Sequence, residues 1–128
     1  MSKLLISSPK FKDTLAAPHF KESEFKCPCC GSLGQRIHPR LLFRLECMRS
    51  YFKDRPIVIT SGYRCKEYNS SLKGSSKVSA HMNGKAADLY IEGVSTASII
   101  DWWNSHVPKG YAYTNNFNMK GVVHVEVV

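Results

Sequence analysis

The chain has 128 residues, of which 43% are hydrophobic, and a formal net charge of +8. That length gives one domain with a real core and not two. No apolar run approaches the ~20 residues of a membrane span, and the three apolar residues Leu4, Leu5 and Ile6 are too few for a secretory h-region. The surplus of lysine and arginine favours polyanionic partners, whether nucleic acid, anionic membrane or an acidic wall polymer, but the cations are scattered.

Residues 1–18 are polar, carry lysines and are broken by Pro9 and Pro18. They read as an N-terminal arm, which leaves 19–128 as the domain. His19 to Lys26 reads as a short amphipathic turn carrying Phe20 and Phe25, and Cys27-Pro28-Cys29-Cys30-Gly31 follows. Five cysteines, an odd number without a signal sequence, argue against a disulfide framework and for a reducing compartment at synthesis. The cluster suggests a metal clip, and with the charge a nucleic-acid-binding zinc protein. A second Cys-x-x-Cys or His pair is missing, however, so a tight cysteine-rich loop is the simpler expectation. Cys47, between Leu45 and Met48, reads as a buried thiol.

Leu41, Leu42, Leu45, Met48 and Phe52 recur at helical spacing behind Pro39, which predicts a core-packing helix from Pro39 to about Lys53. Ile57-Val58-Ile59-Thr60 is a β-branched run that reads as a buried strand. It empties into Ser61-Gly62-Tyr63-Arg64, where an arginine just past a strand end can face a cleft. Its planar fork suits a carboxylate or a developing oxyanion. Cys65 to Leu72 is compatible with a helical turn, and residues 73–77 with a loop.

Ser79-Ala80-His81-Met82-Asn83-Gly84-Lys85-Ala86-Ala87-Asp88 holds an imidazole and a carboxylate. On a continuous helix they would stand about 10.5 Å apart along the axis, too far to share a metal. Gly84 permits the turn that would bring them together. Ala86 to Ile91 reads as a strand, and an acid inside that apolar run must be paired, hydrogen-bonded or on a metal. Ser95 suits the N-cap of a second helix, Thr96 to His106. Residues 110–114 read as a strand, 115–121 as a hairpin loop and 122–128 as a closing strand. On that last strand His124 and Glu126 share one face while Val123, Val125 and Val127 share the other.

His81, Asp88 and His124 thus form a two-His, one-carboxylate set, and zinc with three protein ligands keeps its fourth position for water. Amide hydrolysis then needs a base, and a cation for the oxyanion. Glu126 is the candidate base, with orientation of a ligand imidazole as the alternative. Arg64 is the candidate for the oxyanion or for a substrate carboxylate. Arg64 and Tyr113 are expected substrate contacts.

Ser-x-His-x-x-Gly-x-Ala-x-Asp at 79–88, Ser-Gly-Tyr-Arg at 61–64 and His-Val-Glu near the C-terminus resemble the zinc D-alanyl-D-alanine carboxypeptidase family. That family includes phage endolysins and shares its fold with the Hedgehog signalling domain. The likeness runs from about Phe20 to the end. It implies an α+β fold, a small antiparallel sheet packed on helices, with His81, Asp88 and His124 as zinc ligands. Arg64 matches the family's substrate-contacting arginine, and Ser79 the motif serine near the metal, which the resemblance adds to the expected substrate contacts. Several members place a catalytic acid three residues before the last histidine, where this chain has Gly121. A subgroup carries His-Val-Asp where this chain has His-Val-Glu.

The resulting expectation is a zinc peptidase cutting peptidoglycan stem peptides, as a D,D-carboxypeptidase or an endolysin-like endopeptidase. It would be a monomer with no nucleic-acid partner and no membrane span. It would be made in the cytoplasm and act at the cell wall, virion-associated or released on lysis. The alternative is a catalytically inactive, zinc-holding module of the same fold.

Overall fold

The computed structural model describes residues 15–29, 31, 37–72, 80–114 and 120–128. Among them are a two-stranded ribbon, a four-stranded antiparallel sheet and three α-helices. The ribbon pairs β1 (Leu15–Ala17) with β2 (Phe20–Lys21). Ala17, within the expected arm, is buried in the main core. A 3-10 turn over Glu22–Phe25 then buries Phe25 beside Phe20, as the amphipathic spacing predicts.

Helix α1 (Pro39–Tyr51) starts at His38, whose Nδ1 accepts the Arg40 backbone N–H at 3.1 Å, with Pro39 at the first helical position. It stops two residues before the expected Lys53, because Lys53 and Asp54 both take left-handed conformations, φ 62 and 60. The Asp54 N–H reaches back to the Arg49 carbonyl at 2.8 Å, closing the last turn as a Schellman cap does. Helix α2 (Lys66–Ser71) is short, and α3 (Thr96–His106) begins at Ser95, whose hydroxyl accepts the Ser98 N–H.

The sheet runs β3-β4-β6-β5, with β3 spanning Ile57–Ser61, β4 Ala86–Ile91, β5 Tyr111–Tyr113 and β6 Val123–Glu126. The continuous β-branched run of β3 predicts a strand buried on both faces. As an edge strand it instead alternates, with Ile57 buried and Val58 exposed. Cys47 also differs from expectation, being only partly buried against the core on a flank of α1. On the other edge, the Asn104 side-chain amide accepts the Ala112 N–H at 3.0 Å and donates to its carbonyl at 3.4 Å. It stands in for a neighbouring strand.

Leu41, Leu45 and Met48 of α1 and Ile99 and Trp103 of α3 join Ala87, Leu89, Ile91, Val123 and Val125 in one core. Burying the odd-numbered residues of β4 and β6 on that side turns the even-numbered ones to the opposite face. The register sets Asp88 opposite His124, Ser61 opposite Asp88 and Tyr113 opposite His124. A single transverse row therefore crosses all four strands, and the architecture is α+β with a small antiparallel sheet.

Candidate metal centre

Three segments converge on this row. Asp88 and His124 come from the paired central strands, and His81 comes from a 3-10 turn over Ala80–Asn83. Gly84 ends that turn at φ +71, and Lys85 donates its N–H to the Ala80 carbonyl at 3.1 Å, so the chain doubles back. The His38 N–H pins the loop by donating to the Gly84 carbonyl at 2.8 Å. His81, Asp88 and His124 are all buried and form a group able to hold a metal ion.

Hydrogen bonding fixes which atoms face the centre. His81 Nδ1 lies 2.7 Å from the Gly62 carbonyl oxygen. A carbonyl only accepts, so Nδ1 carries a proton, and Nε2 is the nitrogen that faces inward. His124 Nε2 lies 2.7 Å from Glu126 Oε1 and donates to it, so in the neutral ring the Nδ1 lone pair faces inward. Asp88 Oδ1 completes the triangle, 3.1 Å from His81 Nε2 and 2.9 Å from His124 Nδ1, and the two nitrogens are 3.2 Å apart.

With both rings neutral, three acceptors directed at one point inside a buried site call for a cation. Tetrahedral zinc with bonds of about 2.0–2.1 Å holds its ligands about 3.3–3.4 Å apart, close to the observed edges. Two imidazole nitrogens and one carboxylate oxygen also suit zinc chemically. The donor set fits the ion.

Without a metal, protons take the place of the ion. Burial alone would raise the Asp88 carboxyl, but hydrogen bonds from His124 and His81, with the charge of both rings, hold it well below the usual carboxylate range. Burial would lower His124, yet the bonds to Asp88 and Glu126 and their negative charge push it above its ordinary value. In the absence of a metal, a proton on His124 is thereby favoured.

Arg64 reaches the centre through the carboxylate. One guanidinium nitrogen lies 3.1 Å from Asp88 Oδ2, and the other terminal nitrogen lies 3.3 Å from Asn69 Oδ1. Nε contacts Ser61 Oγ at 3.4 Å. Asp88 is thus split, Oδ1 to the histidines and Oδ2 to the arginine. Tyr113 stacks on the His124 ring, centroids 4.8 Å apart and planes at 29°. Burial and the Asp88 charge raise its hydroxyl above the ordinary value.

Of the residues expected from the sequence, His81, Asp88, His124, Glu126, Arg64 and Tyr113 come together here. Ser79 lies outside the described residues. Glu126 binds the His124 nitrogen remote from the cluster. Gly121 occupies a left-handed turn leading into β6, φ +74. Two contributors escaped sequence reading. The Gly62 carbonyl has no side-chain signature, and the buried Asn69 gave only its place on a short helix.

No curated protein sequence matches the chain. The family model described as Peptidase M15 matches residues 18–126, most of the sequence. With the His-Asp-His centre in place, the chain belongs to the peptidase M15 family, the zinc D-alanyl-D-alanine carboxypeptidase and endolysin-type peptidases that its motifs resemble.

Proposed function

We propose that the protein is a zinc peptidase hydrolysing peptidoglycan stem peptides, with His81, Asp88 and His124 as the metal ligands. The observation that carries this reading is the convergence of three buried acceptors within 2.9–3.2 Å of one another. Zinc bound there would polarise a scissile carbonyl and bring the pKa of water toward neutrality. Gly62 and Glu126 hold the two imidazoles in the tautomers that present lone pairs to the ion. Arg64 neutralises the outer oxygen of Asp88, and its remaining N–H donors are available to a substrate carboxylate or a developing oxyanion. Tyr113, partly exposed beside His124, is proposed to line the substrate path, and Ser79 to contact the substrate.

Of the two roles open to Glu126, orientation of His124 is favoured by its 2.7 Å contact with Nε2. A base role requires the carboxylate to leave that nitrogen when substrate binds. The net charge of +8 suits an anionic wall. We place its action at the cell wall, either as a virion component or after lysis.

The test is release of fragments from purified peptidoglycan, with chelator and with zinc restored. Chelator-sensitive release of peptide termini supports the enzyme, and no release with any divalent metal near neutral pH sinks it. A second reading, a zinc-holding module without activity, is motivated by Gly121 at the acid position and by Glu126 being engaged with His124. It predicts stoichiometric zinc and binding of wall fragments without cleavage.

A further inference from the structure

Among the described residues, no cysteine belongs to the centre just described. Cys27 and Cys65 are both thiols here, and the Cys65 backbone N–H points at Cys27 Sγ, 3.4 Å away and 38 positions apart in sequence. This contact adds to others between the same two segments. The Tyr63 N–H donates to the Phe25 carbonyl at 2.8 Å, and Gly62 packs so tightly that an added Cβ would stand 2.5 Å from Phe25 Cα. Cys27 is 1% exposed. Cys65 is partly exposed at the start of α2, where its Sγ accepts the Tyr68 N–H at 3.4 Å. Cys27 Sγ thus sits beside the Cys65 backbone, and rotation about χ1 of Cys65 is the movement that would turn the second sulfur toward it.

We infer that Cys27 and Cys65 are an oxidisable pair, which a low-molecular-weight disulfide such as glutathione disulfide converts into an intrachain disulfide. Accessibility sets the order of events. The Cys65 thiolate attacks one sulfur of the oxidant, forming a mixed disulfide and releasing one small thiolate. The buried Cys27 thiolate then attacks Cys65 Sγ and expels the second. Two protein thiols lose two electrons and two protons, and the oxidant leaves as two small thiols.

The new bond would clasp the segment from Ser61 to Cys65 to the Phe25–Cys27 turn. From that segment hang the Gly62 carbonyl that fixes His81 and the guanidinium that holds Asp88. A chain made reduced would be fastened around its metal centre on reaching oxidising surroundings.

The full chain, incubated with glutathione disulfide, is digested without reduction and mapped by mass spectrometry. Its thermal unfolding is compared with that of the dithiothreitol-treated form. The expected result is a Cys27–Cys65 linked peptide, a thiol count lower by two, and a Tm higher by on the order of 10 °C. Cys65→Ser should still cap α2, since serine is a good N-cap, and should lose both the link and the Tm difference. A link among other cysteines, a mixed disulfide persisting on Cys65, no oxidation, or a linked peptide without a rise in Tm would overturn the inference.

Discussion

Replacing Gly62 with alanine tests whether one backbone carbonyl governs the metal centre. Gly62 is not in a left-handed conformation, so alanine is excluded there only by lack of space. The new Cβ would stand 2.5 Å from Phe25 Cα, 2.8 Å from its Cβ and 2.9 Å from its carbonyl oxygen. Carbon atoms settle at about 3.5–4.0 Å, and backbone atoms cannot rotate away, so the two segments must part by roughly 1 Å. Forced separation of this kind costs about 1–3 kcal/mol, or roughly 5–10 °C in Tm. The same movement strains the 2.7 Å bond from His81 Nδ1 to the Gly62 carbonyl. Losing such an orienting contact lowers metal affinity about 10–100-fold. Thermal unfolding in chelator measures the first effect, and zinc competition against a chromogenic chelator measures the second. Gly121→Ala is the control: its Cβ meets nothing within 4 Å but its φ is +74, so it should lose about 1 kcal/mol and keep wild-type affinity. A Gly62→Ala protein that binds zinc as tightly as wild type would refute the proposed role of the carbonyl.

Wild type should carry one zinc per chain, whereas His81→Ala and His124→Ala should carry almost none by elemental analysis. Equal metal in all three would overturn the ligand assignment. Glu126→Gln should weaken zinc about 10–100-fold yet retain hydrolysis at saturating zinc within about tenfold of wild type. A loss of about 10²–10⁴ with zinc fully bound would identify the base instead. Arg64→Lys keeps the charge but cannot span Asp88 and Asn69 together, and should cost about 1–2 kcal/mol in thermal unfolding. An unchanged Tm would deny the bridge. Stability in chelator should also depend on pH. Asp88, held below its unfolded value of about 3.9, contributes stability present above that pH and lost as pH falls through the folded value. His124, held above about 6.5, contributes stability complete below that pH and lost as pH rises through its folded value. The metal-free Tm should therefore peak between about pH 4 and 6.5, with zinc stabilising most above that window as the His124 proton leaves. A flat profile in chelator would contradict both assignments.

Local signals in the sequence carried the elements that local rules govern. Ser95 and the apolar spacing behind it mark α3 from Thr96 to His106, and Pro39 marks the start of α1. The acid at position 88 is conspicuous because its neighbours are apolar, and alternation on the last strand puts His124 and Glu126 on one face. What stayed hidden depends on tertiary partners. Nothing local shows that Asp88 faces His124 across a strand pair or that Arg64 shares that carboxylate. The β3 run looks doubly buried because β-branched residues suit edge and central strands alike. The role of Glu126 turns on which nitrogen of His124 it meets, and spacing cannot specify that.

The Asp88–His124 pairing would also make a bound metal an inspector of strand alignment. If β6 docked one residue out of step, Val123 or Val125 would stand opposite Asp88 and His124 would be driven into the core. Such a chain would keep its helices and most of its compactness while having nowhere to seat an ion. Because His81 and His124 are 43 positions apart, the ion can be captured only after the last strand has closed on the sheet. Zinc occupancy would then count the molecules that finished folding correctly, something that neither helix content nor compactness can report.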